Sequence, residues 1–446
     1  MIPRAILLVL LLASLPAGAA DRLLVSVGDV TATTAVLWAR GVSAGVVGVE
    51  YGPAADRLAG NVTLRVASRE DLTGKAHLTG LRPATRYAYR ARSREAAATG
   101  EFVTAPAPDA SAPVRLLWSG DLGSGRFCRP ADRGYRIFSA MARRRPDFFL
   151  FVGDTVYADH RCSGPDVAAG ADFVATTLAD FRRKHLYNRQ DPALRAFLAG
   201  TSVSAIWDDH EVRNNFAGPS EPLMPVGRQA FLEYWPILPP GEEPTRLYRA
   251  FRWGRLLEVF ILDTRQYRSA NTELDGPAKT MLGPTQRRWL IEGVTASTAV
   301  WKLVVTSVPL SVPKGRTNHD SWSNASVWGI PEEKPTGFTV ERDAILHAFR
   351  ERDVRNLVFI AADVHHAEVI RLRPAPGFTF HEFIAGPLSA THGRPRVLDM
   401  ALNPQSLFAL AGVNNFGEVI VEPAHLTVRI IDEDGTELFT HKITPR

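Results

Sequence analysis

Long apolar runs are scarce in this chain. The single membrane-like stretch, residues 5–18, is short for a bilayer span. It follows Met1-Ile2-Pro3-Arg4 and leads into Ala17-Gly18-Ala19-Ala20. One positive charge, a short apolar run and small residues, in that order, read as a secretory signal peptide over residues 1–20. The bland alternative is a buried N-terminal strand or helix. Cleavage after Ala19 or Ala20 would give an exported protein, periplasmic or extracellular. No cysteine stands directly after that point to carry a lipid anchor.

Concentrated charge is scarce as well. The net charge of +5 is spread along the chain. Its densest basic spot, Arg143-Arg144-Arg145, suits a solvated helix end better than a nucleic-acid patch. Internal repeats and low-complexity tracts are missing. Cysteine is reduced to Cys128 and Cys162. Three fates stay open for them: a disulfide, which export would permit, thiolate ligation of a metal, or two inert thiols. What remains is 22% charged and 45% hydrophobic over 446 residues, ordinary globular composition with room for two or three domains.

Residues 21–105 carry short alternating strands with polar turns, as in Gly80-Leu81-Arg82-Pro83-Ala84-Thr85-Arg86-Tyr87-Ala88-Tyr89. The expectation is a β-sandwich resembling the fibronectin type III module, with no nucleophile or metal cluster of its own. Its bland role is a packed lid or spacer. Proline-rich residues 106–113 read as a linker, and 114–446 as the main domain.

That main domain opens with an apolar run, Leu116-Leu117-Trp118, ending in Gly120-Asp121. About thirty residues later Phe148–Val152 ends in Gly153-Asp154-Thr155-Val156-Tyr157. A crossover helix around residues 135–141 makes this a βαβ unit, with its carboxylates where open α/β sheets place active sites. The pattern recurs. Thr201–Ile206 ends in Trp207-Asp208-Asp209-His210-Glu211, Leu256–Leu262 in Asp263-Thr264-Arg265, and Asn356–Ala362 in Asp363-Val364-His365. A helix is expected over 173–185. The tail strands Glu418–Glu422 and Leu426–Ile431 are expected to close the edge of a second sheet.

One aspartate after a strand is commonly a turn or cap residue. One such cluster per strand points instead to a metal site. Carboxylates and imidazoles suit hard or borderline divalent metals and Fe(III). Asp154 is placed to bridge two ions, and Tyr157 to serve as a phenolate ligand or as a hydroxyl just beyond the metal. A metal pair would lower the pKa of a bound water and hold its hydroxide in line with phosphorus. His210 could protonate the leaving group. Arg213, Arg265 and Arg268 could grip the phosphoryl group, although each could equally be an ordinary ion-pair arginine. Trp322, Trp328 and Phe338 could line an apolar leaving-group pocket.

These strings, above all Trp207-Asp208-Asp209-His210-Glu211-Val212-Arg213-Asn214-Asn215 and Gly153-Asp154-Thr155-Val156-Tyr157-Ala158-Asp159, resemble the PhoD-like alkaline phosphatases of the calcineurin-like metallophosphoesterase superfamily. Asp263-Thr264-Arg265-Gln266-Tyr267-Arg268 and Gly386-Pro387-Leu388-Ser389 add to the likeness, which runs through nearly the whole mature chain. The resemblance implies a two-sheet α/β/β/α sandwich and hydrolysis of phosphate diesters and monoesters. It maps metal ligands onto Asp121, Asp154, Tyr157, Asp209, Asp363 and His365, and a catalytic role onto His210. It implies two or more metals, Fe(III) with Ca(II), with Zn, Mn or Mg as alternatives. Such family members hold iron partly through a cysteine directly after the first strand. Here Asp121 stands there, Cys128 comes seven residues later, and Gly123 takes the place of the usual histidine. The expected partners are small phosphate esters, with phospholipid or nucleotide as further candidates. No stable nucleic-acid or membrane partner is expected, and a monomer is. The competing readings are a phospholipid or organophosphate triester hydrolase on the same site, a sulfate-ester hydrolase, and a non-catalytic surface-binding protein.

Overall fold

The computed structural model describes residues 22–315, 318–326 and 328–446. The expected signal peptide lies outside them. Seven short strands come first: β1 (Leu24–Gly28), β2 (Ala35–Arg40), β3 (Gly45–Gly52), β4 (Gly60–Val66), β5 (Thr73–Leu78), β6 (Arg86–Arg92) and β7 (Ala97–Val103). Their two-residue alternation is plain in β6, where Tyr87, Tyr89 and Ala91 turn inward. Two layers, β1-β2-β5 and β4-β3-β6-β7, enclose a core that includes Leu37, Val49, Leu64 and Phe102.

The βαβ unit forms as its pattern predicts. β8 (Val114–Ser119) and β9 (Phe148–Val152) are parallel neighbours joined through α1 (Ile137–Arg143). All five residues of β9 are buried, which is why it reads as an unbroken apolar run. Next come α2 (Leu178–Arg189), α3 (Pro192–Gly200), β10 (Ser202–Ile206) and α4 (Met224–Tyr234). α2 begins five residues later than its sequence suggests because Thr177 and Asp180 form a capping box there.

β11 (Arg249–Trp253) and β12 (Leu257–Ile261) form a hairpin that starts the second sheet. It continues through α5 (Gly283–Ala296), β13 (Trp301–Val305), α6 (Thr339–Glu351), β14 (Leu357–Ala361), β15 (Ala367–Ala375), β16 (Phe378–Ile384) and β17 (Pro404–Leu410). The strand order there is β11-β12-β13-β14-β16-β15-β17. The tail supplies β18 (Asn415–Glu422), β19 (His425–Asp432) and β20 (Glu437–Ile443).

The tail corrects the sequence expectation. It closes the first sheet, not the second, with β18 antiparallel to β8. The reason is a contact far apart in sequence: Gly417 lies flat on the Trp118 ring, where a Cβ would come within 2.1 Å of it. Buried Glu418 draws Arg144, from the basic cluster, into an ion pair at 2.7 Å. The first sheet thus reads β20-β19-β18-β8-β9-β10-β1-β2-β5. It takes in one layer of the N-terminal unit, because Gly28 of β1 pairs with Val203 of β10. Further ties from that unit are Trp38 Nε1 to the Glu233 carbonyl at 2.7 Å and Asp29 to Arg249 at 2.7 Å.

The two sheets meet face to face, with Trp118 against Phe383 and Phe148 against Trp253. Phe138 of α1 and Phe197 of α3 cover the first sheet outside. Leu290, Ile345 and Phe349 of α5 and α6 cover the second. β8, β9 and β10 run parallel, as do β12, β13 and β14, so each set delivers its strand-end loops to one end.

Candidate metal centre

Asp121, Asp154 and Asp363 follow β8, β9 and β14 by two residues each. All three adopt left-handed backbone conformations, with φ of 63°, 49° and 69°, and His365 joins them at 57°. Aspartate tolerates that region better than most residues. Three matching excursions at three strand ends mark a built feature. Gly386 belongs to it: a Cβ there would stand 2.5 Å from Asp121 Oδ2.

The far-apart segments converge. Asp121, Asp154 and His365 have ligand atoms within 4.8 Å of one another, as do Asp154, Asp209 and His210, and Asp208, Asp209 and Asp363. Asp154 is common to the first two groups. Tyr157 Oη lies 3.0 Å from His365 Nε2, and the Tyr157 ring packs 4.2 Å from that of His210. All six residues mapped as metal ligands therefore meet in one hollow. Both carboxylate oxygens of Asp121, Oδ1 of Asp209 and Oδ2 of Asp363 are buried and find no hydrogen-bond donor. A buried anionic oxygen without a partner is costly. The observation fits bound cations, and the donor set of carboxylate oxygens with imidazole fits hard or borderline ones.

The electrostatics agree. Burial raises the pKa of Asp121, helped by Asp363 and Asp208; burial does the same to Asp154, helped by Asp209 and Asp208. Burial pushes Asp363 up to about 8 against the pull of Lys314. Tyr157 is raised by burial and by Asp154 and Asp121. His365 is lowered by burial to about 4, keeping its ring neutral, while Nδ1 meets the Thr391 carbonyl at 2.5 Å. His210 behaves oppositely. Burial disfavours its charge, yet Asp209 and Asp159 overcome that and raise it to about 9. Asp159 Oδ1 lies 2.8 Å from His210 Nδ1.

The arginines need correction. Arg265 and Arg268 are fully buried and do not face a substrate. Arg265 donates to Asp208 at 2.7 and 3.1 Å and to Asp320 at 2.8 and 3.0 Å. Arg268 donates to Asp320 at 2.5 Å. Their forks are taken up by carboxylates behind the hollow. Arg213 does stand free, 56% exposed, with only a loose pairing to Glu221 at 3.7 Å. The aromatic pocket is corrected too. Trp322 and Phe338 are buried in the second-sheet core, whereas Trp328 is exposed. Cys128 and Cys162 form a disulfide, which removes the thiolate-ligand alternative.

Five further residues of the centre lie outside the expected ligand set. Asp159 and Asp208 stand inside the strings that carry the resemblance. His160, with Nδ1 2.9 Å from Ser124 Oγ, followed directly. Asp320 and Lys314 lie in a loop without periodicity.

Comparison with known proteins bears on this site. A family model described as PhoD-like phosphatase matches residues 124–429, and one described as PhoD-like phosphatase, N-terminal domain, matches residues 19–106. Alkaline phosphatase D of Bacillus subtilis (strain 168) is 28% identical over 316 residues, covering 64% of this chain and 52% of that protein. The match thus spans about half the length of that relative. A solved structure of PhoD has a TM-score of 0.76 at 20% identity, over 95% of this chain and 92% of that one. Purple acid phosphatase PPD1 from yellow lupin (Lupinus luteus) seeds has a TM-score of 0.65 at 12% identity, over 95% of this chain and 74% of that one. At such identities the two structures establish likeness of fold: strand-rich N-terminus, then α/β sandwich.

Proposed function

The chain belongs to the PhoD-like phosphatase family, and on that premise we propose that it is an exported, metal-dependent phosphoesterase hydrolysing small phosphate diesters and monoesters. The observation that carries the reading is Asp154, shared by two clusters of buried acidic and imidazole groups that include unpartnered oxygens. Asp121, Asp154 and His365 would hold one ion, with Tyr157 at hand, and Asp154 and Asp209 a second. Ca(II), Fe(III), Mn(II) and Mg(II) suit the oxygen-rich set. When bound, such ions supply an activated water and offset charge on the phosphoryl oxygens.

The chain's own groups do the rest. Asp159 holds Nδ1 of His210 and favours the charged ring, so His210 is assigned as proton donor to the leaving oxygen. His365, kept neutral, suits ligation. Arg213, exposed at the rim, is the arginine left to meet a phosphoryl group. Export is supported by the disulfide. No described helix is long and apolar enough to cross a membrane. The strand layering supports a fibronectin type III-like reading of residues 21–105, with 106–113 as linker and 114–446 as the catalytic part.

The test is release of p-nitrophenol from p-nitrophenyl phosphate and bis(p-nitrophenyl) phosphate. Turnover should disappear with EDTA and return with added metal. Absence of metal-dependent turnover on both substrates overturns the reading.

A further inference from the structure

Lys314 has no part in the scheme above, yet its ammonium lies inside the acidic centre. It sits in the loop after β13 with its side chain 20% exposed. Nζ hydrogen-bonds Asp363 Oδ1 and stands 3.3 Å from Asp320 Oδ2. Asp363 belongs to the third cluster, with Asp208 and Asp209.

That cluster differs from the other two in drawing its counter-charge from lysine and arginine. Arg265 clasps Asp208 and lies 3.8 Å from Asp209, while Arg265, Arg268 and Lys314 all reach Asp320. Among the described residues no lysine or arginine pairs with Asp121 or Asp154, and Asp121 meets only His365, at 3.8 Å. Six buried aspartates, Asp121, Asp154, Asp208, Asp209, Asp320 and Asp363, thus have Arg265, Arg268 and Lys314 on one side, with the His210 ring beside Asp209. A lysine ammonium is a compact charge with three donors, able to stand among carboxylates as a small cation does.

We propose that Lys314 is a built-in cation at the Asp363 corner of the Asp208–Asp209–Asp363 cluster, so that the centre takes two exchangeable metal ions where its carboxylates alone would take three. The inference rests on the metal-dependent reading above and assigns Lys314 a positioning role, fixing Asp363 and setting how many ions the site holds. Removing the ammonium leaves Asp363 without its counter-charge beside the unpartnered oxygens of Asp209 and Asp363, the condition under which a further hard cation binds.

The experiment counts metal. Wild type, Lys314→Met and Lys314→Arg are dialysed against calcium chloride, desalted, and measured by elemental analysis for total metal per chain. Lys314→Met should hold one more ion than wild type, and Lys314→Arg, which keeps the charge, should match wild type. Equal counts in Lys314→Met and wild type overturn the inference while leaving the phosphoesterase reading standing; a wild type that holds no metal overturns that reading itself. Chelator titration of wild type needs no variant. Release of two ions supports the inference, and release of a third overturns it.

Discussion

The front and the back of the acidic centre are built from the same residue type and answer its charge differently. At the back, Asp208 and Asp320 are saturated: Arg265 clasps both, Arg268 adds to Asp320, and Ser307 donates to Asp208 at 2.6 Å. At the front, Asp121 has no donor at all, and Asp209 and Asp363 each keep an oxygen unpartnered. All are buried aspartates, so neither residue type nor burial separates them. Partner state does. A carboxylate whose lone pairs are spent on guanidinium is scaffold; one whose oxygens face only one another awaits something positive. The arginines follow the same logic, since Arg265 is held charged by the aspartates it stabilises.

Breaking the front should cost the most chemistry. Asp154→Asn removes the carboxylate common to two clusters. Metal content is expected to fall by at least one ion per chain, and kcat/KM by roughly 10³-fold, about 4 kcal/mol of transition-state stabilisation. Stability of the metal-free protein should not fall, because a carboxyl raised by burial, and then by its like-charged neighbours, is relieved by neutralisation. A metal-loaded, fully active Asp154→Asn enzyme would erase the distinction between front and back.

Breaking the back should instead cost the fold. Arg265→Met leaves Asp208 and Asp320 buried without their main counter-charge, a loss of about 3–5 kcal/mol in urea unfolding of the metal-free protein. An arginine placed for substrate would behave otherwise, raising KM with stability changed by less than about 0.5 kcal/mol. That second outcome would restore the phosphate-binding role expected from sequence.

Legibility in the sequence divides along the same line. The front was legible because each ligand candidate is local to its strand: an apolar run fixes the strand, and Gly120-Asp121, Gly153-Asp154 and Asp363-Val364-His365 follow at its end. Whether Arg265 is spent or free was not legible, because its partner Asp320 lies 55 residues away in a loop with no periodic pattern. The pairing of Lys314 was not legible for the same reason, since it meets Asp363 across 49 residues. The tail strands were legible as strands, but their choice of sheet depends on Gly417 meeting Trp118, a contact no local pattern encodes. Periodicity reports which face is buried, not against what.

His185 lies outside the site. Its Nε2 is buried and unpartnered, as the front carboxylate oxygens are, but it stacks on Tyr234 with ring centroids 5.2 Å apart and no carboxylate pairs with it. An orphan atom alone does not make a cation site; here burial, seconded by Arg189, keeps the ring neutral and lowers its pKa to about 3. The folded value lies below the ordinary 6.5, so the unfolded chain takes up the proton first. This contribution to stability is complete above pH 6.5 and is lost as pH falls toward 3, amounting to about 2 kcal/mol by pH 5. Urea midpoints at pH 7 and pH 5, compared between wild type and His185→Phe, read it directly. The variant should lose less stability across that interval, and an unchanged difference would show that His185 finds a proton-stabilising partner which the packing around Tyr234 does not provide.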